Sequence, residues 1–219
     1  MCYNNKDMPS WNIHLEVGKR VLKHLKYNKK QQKEFLVGCI LPDINNGYIN
    51  NPKVVKEHEE THYAYDQKSS LNFYAENREE IIAKNPIYLG YLCHLYTDGF
   101  FNYDFYRKIK RHPLGEGKNR EEKREIKHHD FWLFDTKFHH EFGIDMTEAK
   151  EIARKASEIA AVELTGEDLM DVERILKMDN VNDFLKGEKY LFYSEQELAN
   201  VMEDMVKSFA NDYLGDVNA

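Results

Sequence analysis

His94 and Asp98 stand four residues apart in a stretch that is otherwise almost wholly apolar, PIYLGYLCHLYTDGFFNYDFY. On a helix that spacing sets two side chains one turn apart on one face. An imidazole and a carboxylate so placed can grip one cation. An ionised carboxylate on a buried apolar helix is costly unless it is paired or metal-bound. The same spacing also describes a His–Asp hydrogen bond that only stabilises a core. Three further residues bear on the choice: His14 in the first helical pattern, Asp43 after a proline and His62 before an aromatic. Taken singly they read as a core histidine, a turn residue and a surface histidine. Taken together with His94 and Asp98, they bring three histidines and two carboxylates from separate segments. Nitrogen and oxygen donors of this kind suit zinc or another divalent first-row ion. The chemistry open to such a site is metal-assisted hydrolysis, because a bound ion brings the pKa of water close to neutrality.

The elements that must position these residues read as helices, with no strand pattern. Ser10 is placed to cap a helix over Trp11 to Lys26, which turns His14 inward with Gly18, Val21 and Leu25. A second helix spans Gln31 to Cys39 and stops before Pro42, leaving Asp43 at the start of a turn-rich loop. His62 falls in a polar loop, and a helix follows from Leu71 to Lys84. Asn85 and Pro86 open the central, buried helix, which runs to Tyr106. The charged segment after it, with Pro113, Gly115 and Gly117, reads as an exposed loop placed to serve as a lid. A long helix then runs from Glu121 to Phe142, and another from a Thr147 cap to Leu164. A shorter one covers Glu167 to Met178, and a Ser194–Glu197 capping box opens the last, which ends at Leu214. The expectation is an all-α multi-helix bundle. Residues 1–145 form its metal-binding core, and the helices of 146–219 pack on the same domain.

The chain has 219 residues and a net charge of −7. That balance argues against stable nucleic-acid binding, which calls for a basic surface. Cys2, Cys39 and Cys93 form no CxxC pair, so neither a disulfide framework nor a cysteine zinc site is expected, and a reducing, cytoplasmic setting fits. No apolar leader and no membrane span is read. Oligomeric state is not encoded.

The segments PSWNIHLEVGKRVLKHL, FLVGCILPDI, THY and GYLCHLYTDGFFNYDF, in that order, resemble the zinc-dependent phospholipase C family. The resemblance implies a helical fold shared with secreted nucleases and a zinc-dependent phosphoric ester hydrolase with one to three ions. Asp43, His62, His94 and Asp98 would surround one ion, and His14 would help bind a second, with Asp98 bridging. Asp43 is also the candidate general base. The family's third cluster, two histidines and a glutamate, is not reproduced. Asp104 lies near the place of its first histidine, and His128, His129, Asp130 and Asp135 are the available substitutes. The secreted enzymes bind metal through the amine of an early Trp as the free N-terminus. Here ten residues precede Trp11, so its expected place is the core.

Two rivals compete. An HD-type phosphohydrolase would use His129 and Asp130 as paired ligands, with His94 upstream and Asp179 downstream, leaving His14, Asp43 and His62 unused. A helical binding domain would keep the scaffold without the activity.

Overall fold

The computed structural model describes residues 11–63, 68–178 and 182–215. Among them eleven α-helices form and no strand does. These are α1 Trp11–Val21, α2 Lys29–Gly38, α3 Leu41–Asn45, α4 His58–His62, α5 Ser69–Glu76, α6 Arg78–Ile82, α7 Pro86–Ile109, α8 Arg120–Asp135, α9 Met146–Ala156, α10 Gly166–Leu176 and α11 Glu195–Phe209. The protein is all-α, as the periodicity predicts. No helix among the described residues is long and apolar enough to cross a membrane.

Local chemistry sets many of the helix ends. Asn85 accepts a hydrogen bond from the Ile87 amide at the start of α7, with Pro86 in the first turn, where no amide is needed. Ser194 and Glu197 close the expected capping box on α11. Asn28 and Gln31 form one on α2, and Asp145 and Glu148 form one on α9. Asp145, rather than Thr147, is therefore the cap of that helix. Ser10, Cys2 and Asp179 lie outside the described residues.

Several helices end earlier than their patterns suggest. The first stops at Val21, and a 3-10 turn over Leu22–His24 follows it. The segment from Leu71 to Lys84 splits at Asn77, whose amide side chain donates to the Phe73 carbonyl. The long helix ends at Asp135, not Phe142. Beyond it the amides of Phe142 and Gly143 donate to the buried Glu173 carboxylate at 2.9 Å and 3.1 Å, so they are unavailable to a helix. The helix begun at Met146 ends at Ala156, short of Leu164. The last helix turns into a π-helical turn over Ala210–Leu214. Conversely, Pro42 does not end structure: it sits in the first turn of α3, where its missing N–H costs nothing.

Helix α7 is the axis of the molecule and packs against α2, α5, α11 and α1. Its contact with α2 is backbone to backbone. A Cβ on Gly90 would run into the Phe35 carbonyl and come to 2.9 Å from Gly38 Cα, while one on Gly38 would stand 2.5 Å from the Ile87 carbonyl. Helix α9 is tied to α2 by Lys33–Glu148 at 2.8 Å and Lys155–Glu34 at 2.6 Å.

Gly90→Ala should therefore destabilise the protein by about 2–3 kcal/mol, because rigid backbone atoms must move apart. Gly99, also on α7, has nothing within 4 Å of a built Cβ, so Gly99→Ala should stabilise by about 0.5–1 kcal/mol through helix propensity. Urea unfolding of the two variants checks both signs. Equal stability of Gly90→Ala and wild type would contradict the close approach.

Candidate metal centre

Four short stretches of backbone deliver the five residues. His14 comes from α1, Asp43 from α3, His62 from the last position of α4, and His94 and Asp98 from α7. All five are buried, and Asp98 is the most open at 8% exposure. Asp43 and His62 thus stand on short helices rather than on the loops expected for them.

Hydrogen bonds orient two of the imidazoles. His94 Nδ1 is 2.8 Å from the Cys39 carbonyl, an acceptor only, so Nδ1 keeps its proton and Nε2 is the nitrogen that offers a lone pair once the ring is neutral. Thr61 Oγ1 donates to the His58 carbonyl at 3.3 Å and sits 2.9 Å from His62 Nδ1. With the hydroxyl proton so used, His62 Nδ1 donates and Nε2 again faces inward. The two inward nitrogens lie 3.3 Å apart. The His14 ring stacks on His94 at 4.0 Å.

Around these nitrogens the carboxylates converge. Asp98 Oδ1 is 3.3 Å from His14 Nε2, and Asp98 Oδ2 is 3.3 Å from His94 Nε2 and 3.8 Å from His62 Nε2. Asp43 Oδ1 is 3.6 Å from His62 Nε2 and 3.9 Å from His94 Nε2. A tetrahedral zinc with ligands at about 2.0–2.2 Å separates them by about 3.3–3.6 Å, which is the spacing of the closest of these pairs. None of them has hydrogen-bond alignment with its carboxylate, and His14 Nε2, Asp43 Oδ1 and both Asp98 oxygens lack a hydrogen-bond partner. Buried polar atoms are ordinarily satisfied, so this set fits a cation. Two overlapping ligand groups result, His14–His94–Asp98 and Asp43–His62–His94.

The electrostatics agree. Burial alone would lower the basicity of His94, but the charges of Asp98 and Asp43 outweigh it and lift its pKa to about 9. Burial and the stacked His94 ring push His14 below its ordinary value, against the pull of Asp98. Burial would raise Asp98, but His94 and His14 hold it well below the usual carboxylate range. Two stacked imidazoles cannot both be charged cheaply, and one cation in their place relieves the conflict.

The sequence profile of the zinc-dependent phospholipase C family matches residues 13–218. The chain belongs to that family. No curated protein and no solved structure matches it. Membership in a zinc-dependent phospholipase C family supports a metal-dependent phosphodiester hydrolase, and the donor set described above is of the kind such an enzyme needs.

The remaining candidates are not brought to this centre. Asp104 is held by Arg107 at 3.1 Å, Lys108 at 2.7 Å and the Tyr193 hydroxyl at 2.8 Å. Asp130 accepts the backbone amides of Leu191, Phe192 and Tyr193 at 2.7–2.8 Å and lies 3.1 Å from His129 Nδ1. Its oxygens pin that loop, which removes the paired ligand that the HD-type reading requires. Asp135 accepts from Asn12 at 3.3 Å and Asn182 at 3.1 Å. His128 is buried and stacks on Trp132. Trp11 is buried at 7% exposure and joins the core, as expected.

Two features escaped the sequence reading. His58 stacks on His62 at 4.0 Å, a contact that the i, i+4 spacing of EHEETH could have signalled. The other is a groove of about 1440 Å³ bordered by His58, His62 and Asp98 and running between α7 and α8.

Two measurements follow. Asp130→Ala should cost about 3 kcal/mol of stability, since three amides lose a charged acceptor, yet leave zinc content unchanged by elemental analysis. Burial, then Lys127 and Arg124, push His128 down to about 3. Its folded-state value is depressed below the ordinary 6.5, so the unfolded chain binds the proton first, and stability is lost as pH falls from about 6.5 toward 3. His128→Leu should flatten this part of the pH–stability curve. An unchanged slope would show that His128 titrates normally.

Proposed function

We propose that this chain is a zinc-dependent phosphoesterase that hydrolyses a phosphodiester or phosphomonoester, with His14, Asp43, His62, His94 and Asp98 as its ligand set. The observation that carries the reading is the pair of buried carboxylates. Glu34, Asp104, Asp130, Asp168 and Glu173 are equally buried, but each meets a lysine, an arginine or a backbone amide. The partnerless oxygens of Asp43 and Asp98 instead face imidazole nitrogens.

Zinc, when bound, would lower the pKa of water and polarise the phosphoryl oxygens. The chain's own residues do the rest. The Cys39 carbonyl fixes the His94 tautomer and Thr61 fixes that of His62. Asp98 shares its two oxygens between His14 and His94, which suits a bridging carboxylate. Asp43 is the proposed general base through Oδ2, Oδ1 being the oxygen that faces the His62 and His94 nitrogens. Substrate would enter along the groove, which reaches Asp98 and His62. A phospholipid-type headgroup is the substrate class that the family suggests.

Asp98→Asn should lower both zinc content and turnover of bis(p-nitrophenyl) phosphate by about 100-fold or more, while His14→Ala should lose one ion and retain the other. Full zinc occupancy in Asp98→Asn would sink the ligand assignment. Zinc bound in wild type with no turnover of any phosphoester would favour the binding-domain reading.

Zinc must displace the His94 proton, so its affinity should climb about tenfold per pH unit up to about pH 9. The raised pKa of His94 also means that its contribution to the zinc-free protein is complete below the unfolded value of 6.5 and is lost as pH rises through about 9. Melting curves should thus diverge toward alkaline pH, the zinc-free form weakening and the loaded form holding.

A further inference from the structure

The groove contradicts the charge of the whole chain. The protein carries −7 overall, yet among the described residues eight Lys or Arg side chains line the groove against two carboxylates, Asp98 and Glu121. Helical phase produces this segregation. On α8 the groove takes Arg120, Lys123, Arg124 and Lys127, which share one face, whereas Glu122 and Glu125 of the same REEKREIK run do not line it. On α7 the lining residues Gly99, Asn102, Tyr103 and Tyr106 follow Asp98 at helical spacing, and Lys110 caps its C-terminal end.

Some of these cations have structural duties: Arg107 pairs with Asp104 and Arg124 with Glu121. Others do not. Among the described residues, no ion pair or side-chain hydrogen bond engages Lys110, Arg111, Arg120 or Lys123. Deeper in, Lys127 is 2% exposed, and its ammonium donates to Asn102 Oδ1 at 2.8 Å. Asn102 lies one turn beyond Asp98, about 6 Å along the helix axis. A cleft lined by one sign of charge focuses its field on whatever enters. This field repels a cationic headgroup and attracts negative charge additional to the phosphate being cleaved.

We propose that the groove between α7 and α8 binds a phosphoester carrying a second phosphate, with the scissile group at Asp98 and His62 and the second phosphate against Lys123, Lys127 and Arg120. The inference rests on the phosphoesterase reading of the metal centre and names its substrate class. The second phosphate can belong to a soluble ester or to a phosphorylated lipid headgroup, and the test separates these sources.

Hydrolysis by the zinc-loaded protein is compared within two pairs that differ by one phosphate. The soluble pair is thymidine 5′-(p-nitrophenyl phosphate) without and with a 3′-phosphate. The lipid pair is phosphatidylinositol and phosphatidylinositol 4-phosphate in phosphatidylcholine vesicles. In at least one pair kcat/KM should be about tenfold higher for the more phosphorylated member, with the advantage shrinking as salt is added. In Arg120→Gln/Lys123→Gln, a surface double variant, that ratio should fall toward one.

Calorimetry with adenosine 3′,5′-bisphosphate gives a readout that needs no turnover, and the double variant should bind it about tenfold more weakly. Equal efficiency within both pairs overturns the proposal, as does bisphosphate binding that ignores the double variant. No hydrolysis of any ester, with charge-dependent bisphosphate binding, would overturn the phosphoesterase reading and leave the anion site standing.

Discussion

The close crossing of α2 and α7 is the constraint on which the rest of the molecule depends. Two glycines, Gly38 and Gly90, let the backbones touch where any side chain would hold them apart. Only at that separation does the Cys39 carbonyl reach His94 Nδ1. That one hydrogen bond fixes which nitrogen of His94 faces the centre. The same crossing sets the start of α3, since just two residues lie between Gly38 and Leu41. Asp43 is thereby carried to the face of α7 that bears His94 and Asp98.

Burial of charge then distinguishes structure from chemistry. A protein interior penalises a carboxylate unless donors surround it. Most buried carboxylates here obey this rule and act as fasteners: Asp130 gathers three amides of one loop, and Glu173 holds the connection before α9. Asp43 and Asp98 break the rule together, in one place, facing imidazoles. A folded chain tolerates such a concentration where a cation completes it, in keeping with membership of a zinc-dependent family.

The surroundings of the centre add a second layer of selection. Net charge describes how a whole molecule behaves in a field, whereas a substrate meets the local potential of a cleft. In this chain the two have opposite sign. Among the described residues, the cations of α7 and α8 gather on the wall that leads to Asp98.

Much of this was legible before any coordinates. Apolar periodicity gave the helices, capping residues gave several of their starts, and the i, i+4 pair at 94 and 98 marked the central helix as more than packing. The order of four weak motifs was enough to suggest the family. Helix ends were less legible where distant groups competed for the backbone: nothing near Phe142 announces that Glu173, about 30 residues later, will take its amide. The same reason explains Asp104 and Asp130. Their residue types suit a metal, but partners far along the chain consume their oxygens, and no local pattern encodes that. Sequence alone determined which side chains could bind an ion and on which helical faces they stand. The tertiary structure decided which of them meet, because convergence depends on how closely helices approach, and the approach depends on two glycines that touch across 52 residues of chain.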